Sequence, residues 1–346
     1  MKKKLLALLL TGVMSMSLLA GCGDSKTASN ASTAGTEKAG TETTSTETAS
    51  TETTASTEET VYQIGVLQLT QHAALDAANE GFIAALDDAG IKYEVDQQNA
   101  SGDQPTCVTV AEKFVNDGKD LIYTIATPAA QAVAAATTDI PVVGSAITDY
   151  VEAGLVDSNE VPGGNVTGSS DMNPIDAQLD LLLQLVPDAQ TIGVFYSADE
   201  DNSVLQARLF TEAAEAKNLT IEEFTISNSN EIQTVVQSME GKIDACWIPT
   251  DNKLAAGMAT VAMVANEFDL PVICGESNMV EAGGLATYGL DYYQLGYLAG
   301  EMAVEILVNG ADPAEMPIQF LPADKCELTV NEETAAEIGI DLSVLD

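Results

Sequence analysis

The chain runs twice through one order of elements, and that repetition constrains its fold more than any other feature. Ile64-Gly65-Val66 ends a short apolar run; a polar loop follows, then apolar residues at helical spacing (Leu75, Ala78, Phe82, Leu86), Gly90, and a strand pattern at Tyr93 to Val95. Ile192-Gly193-Val194 begins the same order again, with a polar loop, a helix through Val204, Leu209, Ala213 and Ala216, then Asn218 and a strand from Thr220 to Ile226. A second helix comes next in each half, Val108 to Val115 and Ile232 to Met239. Each leads to a strand, Asp120 to Ile125 and Asp244 to Ile248. Those strands end in Pro-containing loops, Ala126-Thr127-Pro128-Ala129 and Pro249-Thr250-Asp251-Asn252. An Ala-rich helix and a further strand, Ile140 to Gly144 and Leu270 to Gly275, complete each unit. Alternation of this kind predicts the α/β class, with two doubly wound parallel-sheet lobes covered by helices.

In open parallel sheets ligands collect beyond the carboxyl ends of the strands. If the lobes face one another, the corresponding loops line one cleft: Gln68 to His72, Thr127 to Gln131 and Thr148 to Tyr150 from the first, Ser197 to Ser203, Thr250 to Lys253 and Glu276 to Asn278 from the second. The body from Val61 to Asp346 is long for one core and suits two.

The segment before it has a different character. Lys2, Lys3 and Lys4 precede an apolar run from Leu5 to Leu19, and Leu19-Ala20-Gly21-Cys22 closes it. The run is at the short end of the ~20 residues a spanning helix needs. The pattern resembles a bacterial lipoprotein signal, in which the cysteine thiol receives a diacylglycerol and becomes the first residue of the mature chain. From Gly23 to Thr60 the sequence is almost entirely Thr, Ser, Glu, Ala and Gly, without an aromatic residue, which is linker composition. Residues 1–21 are therefore read as a signal peptide and 22–60 as a lipidated cysteine with its linker. The expected location is outside the cytoplasmic membrane, held by the lipid on Cys22.

The whole chain carries 53 acidic and 13 basic residues, a formal charge of −40. Such a charge repels nucleic acid and anionic lipid head groups, so neither is an expected partner. Cys107, Cys246, Cys274 and Cys326 form no Cys-x-x-Cys pair, and the chain has one histidine. No metal site or cofactor is expected, and the cysteines read as small buried hydrophobes.

Motifs spread through the body resemble the solute-binding lipoproteins of ABC importers that share the type I periplasmic-binding fold, in particular the tryptophan- and tyrosine-binding group. The residues that carry the resemblance include His72-Ala73-Ala74-Leu75-Asp76, Gly81-Phe82, Ile125-Ala126-Thr127-Pro128-Ala129-Ala130-Gln131 and Gly164-Asn165-Val166-Thr167-Gly168. Asp201-Asn202-Ser203, Pro249-Thr250-Asp251-Asn252 and Asp291-Tyr292-Tyr293-Gln294-Leu295-Gly296 extend it toward Ile340. Two positions depart from the family pattern: Ala73 stands where Pro is usual, and Tyr150 where Pro commonly follows Asp. The resemblance implies a three-strand hinge, with crossings near Val166 to Ser170, Gly284 to Thr287 and Gly310 to Pro317. The first lobe would comprise 61–168 and 286–310, and the second 169–285 and 311–346. It also implies a monomer that delivers its ligand to the membrane subunits of an ABC permease.

The expected site comprises Gln68, His72, Thr127, Ala129, Asp149, Asn202, Ser203, Asp251 and Asn252. Asp251 follows a strand with no basic neighbour among Pro249, Thr250 and Asn252, so its carboxylate could pair with a ligand ammonium; the same position also suits a helix N-cap. Thr127, Asn202 and Ser203 open helices whose free N–H groups would hold a carboxylate. Arg208, the one arginine, falls inside a helix and reads as solvent-facing, so a guanidinium clamp for a multiply charged anion is missing. His72 and Gln68 share a cleft loop. Asp149 reads as a loop-holding residue near the hinge that could also touch ligand. Tyr150, Tyr196, Tyr288 and Trp247 could stack on an aromatic ligand or serve as packing.

Enzymatic motifs are only approached. Gly275-Glu276-Ser277-Asn278-Met279 lacks the closing glycine of a nucleophile elbow, and Ser169 stands where a phosphate loop beginning at Gly163 needs lysine. The leading expectation is a non-enzymatic receptor for a small zwitterion, an amino acid with a large or aromatic side chain. A receptor for another solute such as a sugar or nucleoside, or a secreted hydrolase, is the alternative. For the anchor, Cys22→Ala should abolish incorporation of a labelled fatty acid and leave the precursor unlipidated; label that persists on the variant would refute lipidation at this residue.

Overall fold

The computed structural model of the chain describes residues 60–322 and 325–345. The signal segment, Cys22 and the Thr/Ser/Glu-rich tract lie outside them. Among the described residues no helix is long and apolar enough to cross a membrane.

The repeated sequence unit folds as two six-stranded sheets. The first contains β1 (Val61–Gln68), β2 (Lys92–Asn99), β3 (Leu121–Ile125), β4 (Val142–Ile147), β5 (Val166–Ser170) and β11 (Gln319–Phe320), in the order β11-β5-β4-β3-β1-β2. The second contains β6 (Thr191–Ser197), β7 (Thr220–Ile226), β8 (Ala245–Ile248), β9 (Val272–Cys274), β10 (Ala286–Gly289) and β12 (Glu327–Val330), in the order β12-β10-β9-β8-β6-β7. Pairing is parallel throughout except for β12, which runs antiparallel to β10. Strands covered on both faces are apolar without alternation: every residue of β3 and β8 is buried. The edge strands β2 and β7 alternate instead, as one-sided strands do.

Helices α1 (Ala73–Asp88), α2 (Gln104–Asn116) and α3 (Thr127–Ala136) belong to the first lobe. Helices α4 (Ile175–Leu185), α5 (Asp201–Ala216), α6 (Ile232–Gln237), α7 (Asn252–Ala256), α8 (Met258–Asn266) and α9 (Ser277–Glu281) belong to the second. α10 (Tyr292–Asn309) follows a strand of the second sheet but packs on α1, and α11 (Glu332–Ile338) returns to the second lobe. The two cores repeat one aromatic device. Phe82 of α1 stacks on Tyr123 of β3 with centroids 3.8 Å apart, and Phe210 of α5 stacks on Trp247 of β8 at 4.2 Å. Trp247 donates its indole N–H to Gln178 Oε1 at 3.0 Å, and the Tyr150 hydroxyl donates to the Gly144 and Ser169 carbonyls. Both are packing residues rather than ligand platforms.

Strand pairing moves the lobe boundaries away from those expected. β10 joins the second sheet, so the stretch from residue 286 enters the first lobe only after Gly289. β11 joins the first sheet, and the Thr167 hydroxyl donates to Met316 O at 2.7 Å, so residues 311–320 stay with that lobe. The hinge passages are consequently Asp171 to Pro174, Leu290 to Asp291, and the link between β11 and β12. The third lies beyond the expected Gly310 to Pro317, because the pairing of β11 delays the crossing.

α1 and α10 approach at backbone distance. A Cβ on Gly296 would run into the Ala78 carbonyl oxygen, and one on Gly81 into the Tyr293 carbonyl. Neither obstacle is a side chain that could swing aside. Gly296→Ala should therefore cost about 1–3 kcal/mol, the range for overpacking, seen as a lower urea midpoint with the slope preserved; an unchanged midpoint would mean the two helices separate freely.

Candidate ligand-binding site

The carboxyl ends of the strands in both sheets deliver their loops to one cleft. His72 ends the β1 loop as the N-cap position of α1, Thr127 opens α3, Asp171 follows β5, and Asp251 and Glu276 follow β8 and β9. At two of these exits an alanine holds a left-handed φ: Ala126 at 87° after β3, and Ala146 at 56° within the irregular end of β4. Such strain persists where surrounding structure enforces it, often at binding sites.

The lobes touch across the cleft. His72 Nε2 lies 3.3 Å from Asn252 Oδ1, and Gln104 donates to Asp199 O at 2.8 Å. Gln131 donates to Asp201 Oδ2 at 2.9 Å. The buried Gln206 amide donates to Thr148 Oγ1 of the first lobe at 3.2 Å and to Thr250 Oγ1 of the second at 2.6 Å. Arg208 reaches Glu152 across the rim at 4.0 Å while pairing with Glu212 on its own helix, so it is exposed as expected and still borders the cleft.

Beneath these contacts lies a small cavity of about 10 Å³, enough for one water-sized or ammonium-sized group, lined by His72, Leu75, Ala146, Asp171, Thr250, Asp251, Asn252, Ala255, Glu276 and Tyr292. No lysine or arginine lines it. Asp171 accepts hydrogen bonds from Thr148 Oγ1 at 3.1 Å and from the Tyr292 hydroxyl at 2.7 Å. Burial raises its pKa, against the lowering effect of those donors. Glu276 caps α9 by accepting from the Asn278 N–H at 2.6 Å, while its Oε1 is buried without a partner. Burial pushes this carboxyl up to about 7. His72 moves the other way: burial lowers its pKa, so the ring is neutral, and Nδ1 has no partner.

A wider crevice of about 290 Å³ lies at the cleft mouth, bordered by Thr127, Asp149, Glu152, Asp201, Asn202 and Arg208. Here the N-termini of α3 and α5 face each other, and Thr127 Oγ1 and Asn202 Oδ1 are buried without partners. Buried polar atoms without hydrogen bonds are uncommon, and two of them line each cavity.

The expected residues therefore divide. His72, Asp251 and Asn252 line the inner cavity; Thr127, Asp149 and Asn202 line the outer one. Asp149 Oδ1 also holds the N–H groups of Val151 and Glu152. Gln68 lines neither cavity, because its amide is spent on Thr70 O and Asp76 Oδ1 at 2.8 and 2.7 Å, which shape the loop. Ala129 and Ser203 are fully buried within their helices. Asp251 accepts from Ser197 N–H at 2.6 Å, Ser197 Oγ at 2.9 Å and Leu254 N–H at 2.9 Å. Its carboxylate thus acts as a helix cap and a tie between β6 and α7, and the other acids lining the inner cavity are Asp171 and Glu276. None of Asp171, Glu276 and Tyr292 was among the expected site residues, although Glu276 opens one of the expected cleft loops; the available signal was position, since Asp171 and Glu276 stand at the carboxyl ends of strands β5 and β9.

Comparison with known proteins agrees with this geometry. Residues 63–344 match the ABC transporter substrate binding protein family. The tyrosine-binding protein of Clostridioides difficile (strain R20291) is 43% identical over 336 residues, covering 96% of this chain and 91% of that protein. The crystal structure of an ABC domain from Streptococcus pneumonia in complex with L-Trp superposes with a TM-score of 0.79 at 40% identity, over 83% of this chain and 98% of that one. A ligand-free, open substrate-binding protein from Clostridium difficile gives 0.63 at 43% identity, over 81% of this chain and 95% of that one. The chain belongs to the substrate-binding proteins of ABC transporters and has the type I periplasmic-binding fold.

Glu200, bonded to Asn252 beside the inner cavity, is a second carboxyl raised as Glu276 is. It accepts from Asn252 N and Nδ2 and pairs with Lys253 at 3.5 Å, yet burial and the Asp251 charge push it up to about 7. A carboxyl raised in the folded state binds its proton there and not in the unfolded chain at the same pH, so folding weakens as pH rises toward 7. His72 acts oppositely, but only below about 6.5, its ordinary value. The ligand-free protein should accordingly melt at a higher temperature at pH 6.5 than at pH 8.5, and Glu276→Gln should narrow the difference. Equal melting temperatures would show that these carboxyls are already ionised.

Proposed function

We propose that the protein is the extracytoplasmic, lipid-anchored receptor of an amino-acid importer and that its ligand is an aromatic amino acid bound as the zwitterion. The observation that carries this reading is the inner cavity: three buried carboxyls, Asp171, Asp251 and Glu276, one oxygen of Glu276 without a partner, and no basic side chain. Such a lining suits an ammonium group and opposes an anion. The ligand carboxylate is assigned to the facing N-termini of α3 and α5, where Thr127 Oγ1 and Asn202 Oδ1 lie. Oδ1 and NH₂ of Asn202 exchange on a side-chain flip, which would turn a donor toward the anion. Gln206, bonded to Thr148 and Thr250 between the two cavities, is the group that must turn aside. Leu75, Tyr292 and the neutral His72 offer apolar and aromatic surface to the ligand side chain.

The names of the relatives support the same ligand class, since one is a tyrosine-binding protein and another holds L-Trp. The better superposition on the L-Trp complex than on the open protein, despite slightly lower identity, supports reading the present arrangement as the closed state of a hinge. A receptor of this kind acts by shifting between open and closed populations and returns its ligand unchanged to the permease.

Mass spectrometry of whatever copurifies, followed by calorimetry with L-tyrosine, L-tryptophan and L-phenylalanine, tests the reading. Binding should be lost for the N-acetyl and amide derivatives, and Asp171→Asn should weaken it by about 2–5 kcal/mol, the scale for truncating one partner of a buried charge pair. Binding of a sugar or nucleoside with none of the amino acids, or release of a chemically altered ligand, would overturn it.

A further inference from the structure

Glu276 differs from the other carboxyls of the cleft. Asp251 has three donors, Asp171 has two, and Glu200 has the Asn252 groups and Lys253. Glu276 is 2% exposed and commits one oxygen to capping α9, while Oε1 faces the inner cavity with no partner. The groups around it are Asp171 beyond β5, Asp251 before α7, Tyr292 opening α10, His72 before α1, Cys274 on β9 and Glu281 on its own helix. None of these supplies positive charge, since burial keeps His72 neutral. Two carboxylates enclosed together without a cation repel each other in a medium that solvates neither well. One of them keeps its proton, and Asp171, which accepts from Tyr292 and Thr148, is the better carboxylate.

We propose that ligand capture is a cation exchange at Glu276, in which the arriving ammonium group replaces a proton. The Glu276 O–H bond breaks, the proton passes to solvent, and the ligand N–H donates to the freed oxygen while the ligand nitrogen stays protonated. Before binding, the Asp171 and Glu276 pair carries one negative charge; afterwards it carries two, offset by the ammonium. The charge at the Asp171 and Glu276 pocket, counted with the ammonium, is thereby unchanged, and the ligand carboxylate is offset separately by the N-termini of α3 and α5. This inference rests on the amino-acid reading above and adds proton release to it: capture weakens as the surroundings acidify.

Calorimetry of the full chain with L-tyrosine, in paired buffers of low and high ionisation enthalpy, counts the protons. About one proton should leave per ligand at pH 6, falling to almost none at pH 8.5, and affinity should rise roughly tenfold per pH unit below 7 and then level. Glu276→Gln should bind more weakly, without proton release and with affinity independent of pH over this range. Saturable binding whose heat at pH 6 is the same in both buffers would overturn the exchange. Proton release that persists in Glu276→Gln would overturn its assignment to this residue. The wild-type buffer series decides the first point even if the variant does not fold. Failure of all three aromatic amino acids to bind would remove the functional reading itself, and the exchange with it.

Discussion

The close backbone contact between α1 and α10 is the constraint on which the rest of the molecule depends. α10 comes from a strand of the second sheet and docks on the first lobe through Gly81 and Gly296, where any side chain would strike a carbonyl. Its first turn is fixed by that docking. Ser169 Oγ of the hinge strand donates to Leu295 O at 2.8 Å, and the Tyr292 hydroxyl reaches Asp171 at 2.7 Å. One helix packing thus sets a hinge passage and one wall of the inner cavity together. A rigid site at the joint of two mobile bodies needs such an anchor, because a loop alone would not hold a hydrogen bond to a buried carboxyl.

The electrostatics of the cleft follow from composition once geometry is given. A chain with 53 acidic residues against 13 basic ones has few cations to place beside buried carboxyls. Lys253 serves Glu200 and Asp199, and the lone arginine sits at the rim with Glu152 and Glu212. The inner cavity is left acidic, with the hydroxyls of Tyr292 and Thr148 donating to Asp171. In such a cavity a neutral solute would leave the acids uncompensated and an anion would add to the repulsion, which is the desolvation argument behind the proposed ligand class.

Contacts between the lobes are polar and few: His72 to Asn252, Gln131 to Asp201, Gln104 to Asp199, and the Gln206 amide between Thr148 and Thr250. Bonds of this kind exchange for water at small net cost. Under the proposed hinge reading, such contacts would fix the geometry of closure without holding it strongly, so that a ligand's differential affinity decides the population.

The fold was legible in the sequence because period and repetition are local properties. Fully buried strands such as Leu121–Ile125 read as mostly apolar runs, and the edge strand Thr220–Ile226 as a mix of apolar and polar residues. The loops of the cleft were legible for the same reason, since strand ends in parallel sheets mark them. What each side chain does inside those loops depended on neighbours distant in sequence. Asp251 could be read from its neighbours as a ligand partner or as a helix cap, and Ser197, 54 positions earlier, takes its oxygens. Glu276 was legible as part of a cleft loop and of an incomplete nucleophile elbow, but only the fold places it in one cavity with Asp171. The lobe boundaries moved because the pairing of β10 and β11 is decided by which sheet edge the chain reaches. Sequence alone determined the two-lobed α/β architecture and where its cleft must lie, through patterns a few residues long; tertiary structure alone decided which carboxyls are satisfied and which remain for a ligand, because hydrogen-bond saturation is set by groups that only folding brings together.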